Sequence, residues 1–205
     1  MNKPFLVIYL FNSRVSYPDP YFPEWREDEI QNNRLDAFDK YKVWEALNFA
    51  VKDYLGKDLK DLNPKKLESG KPVIDGYHIS LSHSGGKFLA AISSHNVGAD
   101  IQKISPMRHS ALEIHNDIYS KRERKELFEN TNDFFYNFKV FTRKEALYKF
   151  IDPKIPFDID TKKTIDTVPF SEYFYTNSFL NEYGYFSVCS ELIKEGYEVE
   201  IKNFL

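Results

Sequence analysis

Two oxygen-bearing side chains on one predicted strand face are the first candidates for chemistry in this sequence. Residues 97–102 alternate between apolar residues and small or polar ones, which predicts a strand. Gly98, Asp100 and Gln102 then point to the same face, while the other three residues point toward a core. Because glycine has no side chain, we expect Gly98 to leave room for a ligand beside the two oxygen donors.

A segment further along the chain predicts a helix with a carboxylate and a cation on one face. Within residues 144–149, Glu145 lies four positions before Lys149. Together, Asp100, Gln102 and Glu145 would make an all-oxygen site that suits Mg²⁺, and Lys149 beside it would suit a phosphate. Each segment alone also fits an ordinary role, as a solvated turn aspartate or as a helix ion pair worth roughly 0.3–0.5 kcal/mol.

A third segment predicts a small-residue turn between two strands. Residues 77–82 and 88–93 have strand composition, and Ser82, His83 and a glycine pair lie at their junction. Backbone N–H groups in such a turn can approach an anion closely. A plain hairpin with a surface histidine explains the same residues.

The order of these segments resembles the successive motifs of 4′-phosphopantetheinyl transferases, of the double-length type that serves peptide and polyketide synthases. Each motif is weak alone, but four in this order are specific. The resemblance covers residues 69–149, with a weaker match through 184–188. Gln102 stands where the family usually has Glu, and Phe141 where it usually has Trp. The four motifs are Gly70-Lys71-Pro72, Ser80-Leu81-Ser82-His83-Ser84, Val97-Gly98-Ala99-Asp100-Ile101-Gln102 and Phe141-Thr142-Arg143-Lys144-Glu145-Ala146-Leu147-Tyr148-Lys149.

The resemblance implies transfer of 4′-phosphopantetheine from coenzyme A to a serine of an acyl or peptidyl carrier protein, with Mg²⁺ bound and 3′,5′-ADP released. Asp100, Gln102 and Glu145 would hold the metal. Glu145 would also take the proton of the attacking serine, directly or through water, and Lys149 would stabilise the departing 3′,5′-ADP. The residues that would bind coenzyme A are Gly70, Lys71, Pro72, Ser82 and His83.

Several assignments stay open in the sequence. A basic residue for a coenzyme A phosphate could be Arg34, Lys40 or Lys42. Lys144 fits the site and a solvated helix position equally well, and the basic run 121–125 fits a solvated helix face or a surface that docks an acidic carrier.

Two other functions compete with transfer. A non-catalytic relative would bind coenzyme A or a carrier and transfer nothing, with Gln102 as the mark of lost activity. A Mg²⁺-dependent nucleotide hydrolase would use the same carboxylates, although the sequence has no Gly-Lys-Ser phosphate-binding loop. The natural carrier and the range of acyl-coenzyme A thioesters accepted are not encoded in any motif.

Composition limits the class of protein. The 205 residues are 42% hydrophobic and 17% aromatic, enough for one sizeable core or two small halves. A net charge of −3 argues against general nucleic-acid binding. The apolar run 5–11 is far shorter than the roughly 20 residues that span a bilayer, so it predicts a buried strand and no membrane segment.

Cys189 lies in an apolar strand pattern, which predicts a core thiol. We expect a cytoplasmic monomer.

The predicted architecture is α+β. Residues 13–27 predict a loop, 28–55 and 134–151 predict helices, and strands 77–82, 88–93 and 97–102 predict an antiparallel meander. Later strands are predicted near residues 164–175, 184–190 and 197–201, after a linker at Ser105-Pro106. The resemblance implies two similar α/β halves in a pseudo-two-fold arrangement, 1–103 and 104–205, with the site between them.

Overall fold

The computed structural model describes residues 3–32, 37–103, 124–125, 128–129, 134–151, 174–178 and 184–204. They form a mixed α+β fold, in agreement with the predicted class. The strands are β1 (Leu6–Asn12), β2 (Lys65–Lys66), β3 (Pro72–Val73), β4 (His78–Ser84), β5 (Lys87–Ser93), β6 (Val97–Lys103), β7 (Phe174–Ser178), β8 (Gly184–Ser190) and β9 (Glu200–Phe204). The helices are α1 (Glu24–Asn32), α2 (Ala37–Leu55), α3 (Phe134–Ile151) and α4 (Glu191–Lys194), with a 3₁₀ turn at Leu59–Leu62.

The first sheet has the strand order β4-β5-β1-β9, and β1 lies in its interior. β1 pairs antiparallel with β5 and parallel with β9. Its residues 6–11 are all buried, because alternate side chains enter two different cores. This confirms the strand predicted from the apolar run, and each fully buried large side chain contributes about 1.5–3 kcal/mol.

Four layers are stacked around these two cores. On one side of the first sheet, Val7, Tyr9 and Phe11 pack against α2. On the other side, Leu6, Ile8 and Leu10 pack against β6 and β8 of a second sheet, ordered β6-β8-β7. The outer face of the second sheet is covered by α3, where Cys189 packs with helix residues in a third cluster. The thiol is buried, as predicted, and burial raises its pKa far above the ordinary value.

The predicted three-strand meander is wrong at its last strand. β4 and β5 form the expected antiparallel hairpin, but β6 pairs antiparallel with β8 in the second sheet. The reason is that β1 occupies the other edge of β5 along its whole length, which leaves no edge for β6.

The helix predicted at 134–151 agrees with the structure, whereas residues 28–55 contribute to two helices, α1 and α2, with residues 33–36 outside the described part of the chain. α3 begins and ends where predicted, and α2 ends at Leu55, just before Gly56. α1 begins at Glu24, inside the predicted loop. The linker at Ser105-Pro106 and most of the strand predicted at 164–175 lie outside the described residues.

The two sheets do not follow the predicted boundary at residues 103 and 104. β6 precedes that boundary and joins β7 and β8, whereas β9 follows it and joins the first sheet. Asp53 on α2 anchors β9 beside β1. Its Oδ2 accepts hydrogen bonds from the Tyr9 hydroxyl of β1 and from Lys202 Nζ of β9, each at 2.6 Å. The pseudo-two-fold halves and this division of the chain stay predictions.

Among the described residues, no helix is long and apolar enough to cross a bilayer.

Candidate active site

Asp100 is the centre of the polar cluster between β4, β6 and α3. Its side chain is only about 3% exposed, and its carboxylate accepts three hydrogen bonds. Oδ1 accepts from the Ser82 hydroxyl at 2.5 Å and from Lys149 Nζ at 2.8 Å, and Oδ2 accepts from Gln102 Nε2 at 3.0 Å. The predicted strand and helix residues are therefore brought together, with the ammonium of Lys149 directly on the carboxylate.

Serine hydroxyls on one face of β4 fix the position of the Asp100 strand. Three alternate serines accept hydrogen bonds from the backbone N–H groups of alternate residues of β6. Because β4 and β6 belong to different sheets, the Ser80 and Ser82 hydroxyls satisfy buried N–H donors of β6 that would otherwise lack a partner, whereas the bond from Lys103 N is exposed. The three bonds run from Ala99 N to Ser80 Oγ at 2.8 Å, from Ile101 N to Ser82 Oγ at 3.3 Å and from Lys103 N to Ser84 Oγ at 3.1 Å.

The predicted small-residue turn is shorter in the structure than the sequence suggested. β4 continues through Ser84, so Ser82 and His83 lie in a strand, and only Gly85 and Gly86 form the turn, both with positive φ. The Ser82 hydroxyl is directed at Asp100, and His83 Nδ1 lies 3.4 Å from a carboxylate oxygen of Asp39. A phosphate contact by Ser82 or His83 stays a prediction.

Helix α3 lies directly on β6 at Gly98. A Cβ at this position would overlap the carbonyl oxygen of Ala146 and the amide nitrogen of Phe150, and it would lie 2.8 Å from Phe150 Cα. The sequence-based expectation that Gly98 leaves room for a ligand is therefore wrong. The absent side chain makes room for the helix backbone, and this close approach brings Glu145 and Lys149 over the Asp100 strand.

Glu145 on α3 has a perturbed carboxyl group. Its pKa is raised above the ordinary value, chiefly by burial and then by the nearby charge of Asp100, while Lys149 acts in the opposite direction. Burial and a like charge both disfavour the ionised form. A carboxyl with a raised pKa is suited to accept a proton near neutral pH.

The raised pKa predicts a pH-dependent cost to stability. Between the ordinary and the raised pKa, native Glu145 holds more proton than the unfolded chain does, so its contribution to stability falls as pH rises. Glu145→Gln should therefore gain melting temperature relative to wild type as pH increases through that window. Thermal unfolding of both proteins from pH 4.5 to 8 measures the difference, and a constant difference across the range would contradict this.

A cavity of about 220 Å³ opens beside the Asp100 cluster. The predicted coenzyme A residues Gly70, Lys71 and Pro72 line it together with Lys149. The ammonium of Lys71 donates to the carbonyl oxygen of Lys149 at 2.9 Å and to Asn96 Oδ1 at 3.1 Å. The remaining lining residues are Ser69, Ile79, Ser80, Leu81 and Tyr148.

Gln102 is the third predicted metal ligand. Its amide nitrogen donates to Asp100, and its amide oxygen accepts a hydrogen bond from the Ser84 hydroxyl at 3.2 Å. No group of three or more His, Cys, Asp or Glu side chains suited to a metal occurs among the described residues. Asp100 and Glu145 are therefore the charged oxygen donors of this cluster, and Gln102 adds a neutral one.

The other basic candidates differ in their surroundings. Lys144 is 2% exposed, so the solvated position left open by the sequence does not apply. Lys42 donates to the carbonyl oxygen of Val15 and pairs with Glu45 at 2.8 Å. Arg34 and most of the basic run 121–125 lie outside the described residues.

Comparison with known proteins assigns the chain to a family. The family model described as the 4′-phosphopantetheinyl transferase superfamily matches residues 96–201, which include Asp100, Gln102, Glu145 and Lys149. The chain belongs to the 4′-phosphopantetheinyl transferase superfamily. Gly70, Lys71, Pro72, Ser82 and His83 lie before the residues matched by the superfamily model.

Two curated relatives are named as 4′-phosphopantetheinyl transferases. The 4′-phosphopantetheinyl transferase Sfp of Bacillus subtilis (strain 168) is 32% identical over 99 residues, covering 45% of this chain and 42% of that protein. The 4′-phosphopantetheinyl transferase ffp of Bacillus subtilis is 32% identical over 96 residues, covering 43% of this chain and 41% of that protein. The matched segment thus spans less than half the length of these superfamily members.

Two features of the cluster were missed by the sequence-based reasoning. Serines at 80, 82 and 84 alternate along β4, and this period of two was a visible signal for a hydroxyl-bearing face. Asn96, in the turn before β6, carried no comparable signal, because its side-chain partners Lys71 and Phe150 lie 25 and 54 residues away.

Proposed function

We propose that this chain transfers the 4′-phosphopantetheine arm of coenzyme A to a serine of an acyl or peptidyl carrier protein, releasing 3′,5′-ADP. The observation that carries the proposal is the cluster of Asp100, Glu145 and Lys149, of which Lys149 also lines a cavity bordered by Gly70, Lys71 and Pro72. Family membership supports it, because the curated relatives are named for this activity.

The donor set fits a divalent cation. Asp100 is buried and Glu145 is partly buried, and burial together with the charge of Asp100 raises the pKa of Glu145. A cation placed between the two carboxylates would relieve the repulsion between them. Both groups offer the oxygen ligands that Mg²⁺ prefers. Asp100 and Glu145 would hold the metal, with Gln102 as a neutral or water-mediated partner. Bound there, Mg²⁺ supplies positive charge to the pyrophosphate of coenzyme A.

The protein side chains then divide the remaining tasks. Glu145 accepts the proton of the carrier serine, directly or through one water, as the serine oxygen attacks the β-phosphorus and the bond to 3′,5′-ADP breaks. Lys149 leaves its ion pair with Asp100 and stabilises the charge on the departing phosphate. The Gly70–Pro72 turn lines the cavity and borders the adenine, and Ser82 and His83 contact the phosphates of coenzyme A.

A mass measurement tests this function. The protein is mixed with coenzyme A, Mg²⁺ and an apo carrier domain, and the carrier is weighed. We expect the gain of one phosphopantetheine on the carrier serine, and no gain when that serine is replaced by alanine or when Mg²⁺ is chelated. An unchanged mass across acyl and peptidyl carriers, with folded protein and Mg²⁺ present, would refute transfer.

The same mixture separates the alternatives. A non-catalytic relative would bind coenzyme A in calorimetry and leave the carrier unmodified. A hydrolase would release 3′,5′-ADP without any carrier present.

Gln102 sets the Mg²⁺ requirement of the proposed enzyme. Gln102→Glu replaces a neutral donor to Asp100 with a third carboxylate, which should lower the Mg²⁺ concentration for half-maximal activity by about tenfold. Without Mg²⁺ the variant should melt below wild type, since like charges then face each other. Activity and melting temperature measured across a Mg²⁺ series give both quantities.

The matched control is Gln102→Ala, which removes the amide and adds no charge. It should not lower the Mg²⁺ requirement. If Gln102→Glu and wild type respond identically to Mg²⁺, this residue does not border the metal.

A further inference from the structure

The C-terminal end of α3 is held by side chains from outside the helix. The last four carbonyl groups of any α-helix lack partners within the helix. Here two of them are bound: Lys149 O accepts from Lys71 Nζ at 2.9 Å, and Phe150 O accepts from Asn96 Nδ2 at 2.6 Å. An ammonium at this end also interacts favourably with the helix dipole.

The two side chains form one unit. Lys71 Nζ also donates to Asn96 Oδ1 at 3.1 Å, so the amide of Asn96 joins the lysine to the helix end. Because Asn96 accepts from an ammonium through its oxygen, its nitrogen is the atom that faces Phe150. We call this arrangement of Lys71 and Asn96 the helix clasp.

The turn that carries Asn96 is itself anchored. The carbonyl oxygen of Asn96 accepts a hydrogen bond from the Ser190 hydroxyl at 2.9 Å, which ties the turn to the end of β8. Two residues later, Gly98 allows the backbone of α3 to approach β6 closely. The clasp and the glycine contact together determine how far along β6 the helix lies.

We propose that Asn96 is a positioning residue for the reaction proposed above, holding α3 so that Glu145 and Lys149 stay over Asp100. The inference deepens that proposed function and rests on it. Lys149 forms the ion pair with Asp100 through its side chain and is bound by the clasp through its own carbonyl group. Since Lys71 also lines the cavity, the clasp links the Gly70–Pro72 turn to α3.

Asn96→Ala tests the positioning role, with Ser94→Ala as a matched control. Ser94 lies in the same turn and bonds Phe5, with no bond to α3 among those described. We expect Asn96→Ala to lower kcat for carrier modification by about tenfold or more, since small misplacements of catalytic groups are costly. KM for coenzyme A should change less than kcat does, because Asn96 does not line the cavity and Lys71 keeps its hydrogen bond to Lys149 O. Ser94→Ala should lower the melting temperature by about as much as Asn96→Ala does and should keep the wild-type kcat.

Asn96→Asp is the second variant if the alanine variant does not fold. It keeps the acceptor for Lys71 and removes the donor to Phe150, so it should show the same loss of kcat. Asn96→Ala combined with Lys71→Met should cost less than the sum of the two single changes, because both break one unit.

Hydrogen exchange separates failure of this inference from failure of the proposed function. If wild type modifies no carrier, transfer is refuted, and exchange at the amides of residues 147–151 decides the clasp alone. Faster exchange there in Asn96→Ala than in Ser94→Ala supports the clasp. Equal exchange in both variants, or equal kcat in an active enzyme, overturns it.

Discussion

Asp100→Asn and Glu145→Gln should each reduce kcat for carrier modification by about a hundredfold or more at every Mg²⁺ concentration. Each change removes one of the two charged oxygen donors in the cluster. Asp100→Asn also removes the charge that pairs with Lys149 at 2.8 Å, and Glu145→Gln removes the group with the raised pKa that would accept the serine proton. Initial rates of carrier mass gain, measured across a Mg²⁺ series, give the loss for each variant.

Asp61→Asn is the control for these two changes. Asp61 is an exposed carboxylate in the 3₁₀ turn, outside the cluster and the cavity lining, so its replacement should keep the wild-type rate. If Asp100→Asn stayed as active as this control, the oxygen site would be wrongly placed, and its carboxylates would have only structural roles.

Gly98→Ala should produce a larger loss of stability than a methyl addition at Gly56, Gly70, Gly76, Gly85, Gly86 or Gly196. The new Cβ would meet backbone atoms of Ala146 and Phe150, and backbone cannot turn aside as a flexible side chain can. Overpacking of this kind costs about 1–3 kcal/mol or more. Moving α3 away from β6 would relieve the overlap, so carrier modification should fall together with the melting temperature.

Gly76→Ala separates the steric effect from backbone strain. Gly76 has a φ of +80° but open space around it, whereas Gly98 has no left-handed φ and no space. Gly76→Ala should therefore cost only the strain of its conformation. A melting temperature for Gly98→Ala at or above that of Gly76→Ala would show that the helix does not contact this glycine.

Local patterns were enough to predict the elements that carry the site. The alternation in residues 97–102 predicts β6 and the face of Asp100, and the helical pattern predicts α3 with Glu145 and Lys149 on one side. Both patterns are properties of neighbouring residues, so they can be read from a single segment.

The partners of those elements depend on distant segments. Whether β6 extends the β4–β5 hairpin or leaves it is decided by β1, which takes the free edge of β5. The purpose of Gly98 depends on Ala146 and Phe150, roughly 50 positions later, and a lone glycine in a strand is compatible with a ligand or with close packing. Long-range packing of this kind leaves no local signal.

The parallel pairing of β1 with β9 has a consequence for how the protein is made. The carbonyl oxygen of Phe204 accepts a hydrogen bond from the Asn12 side chain across a separation of 192 residues. During translation at about 5–20 residues per second, the apolar β1 would wait roughly 10–40 s for its last neighbour to leave the ribosome. Until then, one edge of a strand whose residues 6–11 end up buried is open to pairing with other chains, so we expect the nascent polypeptide to bind chaperones.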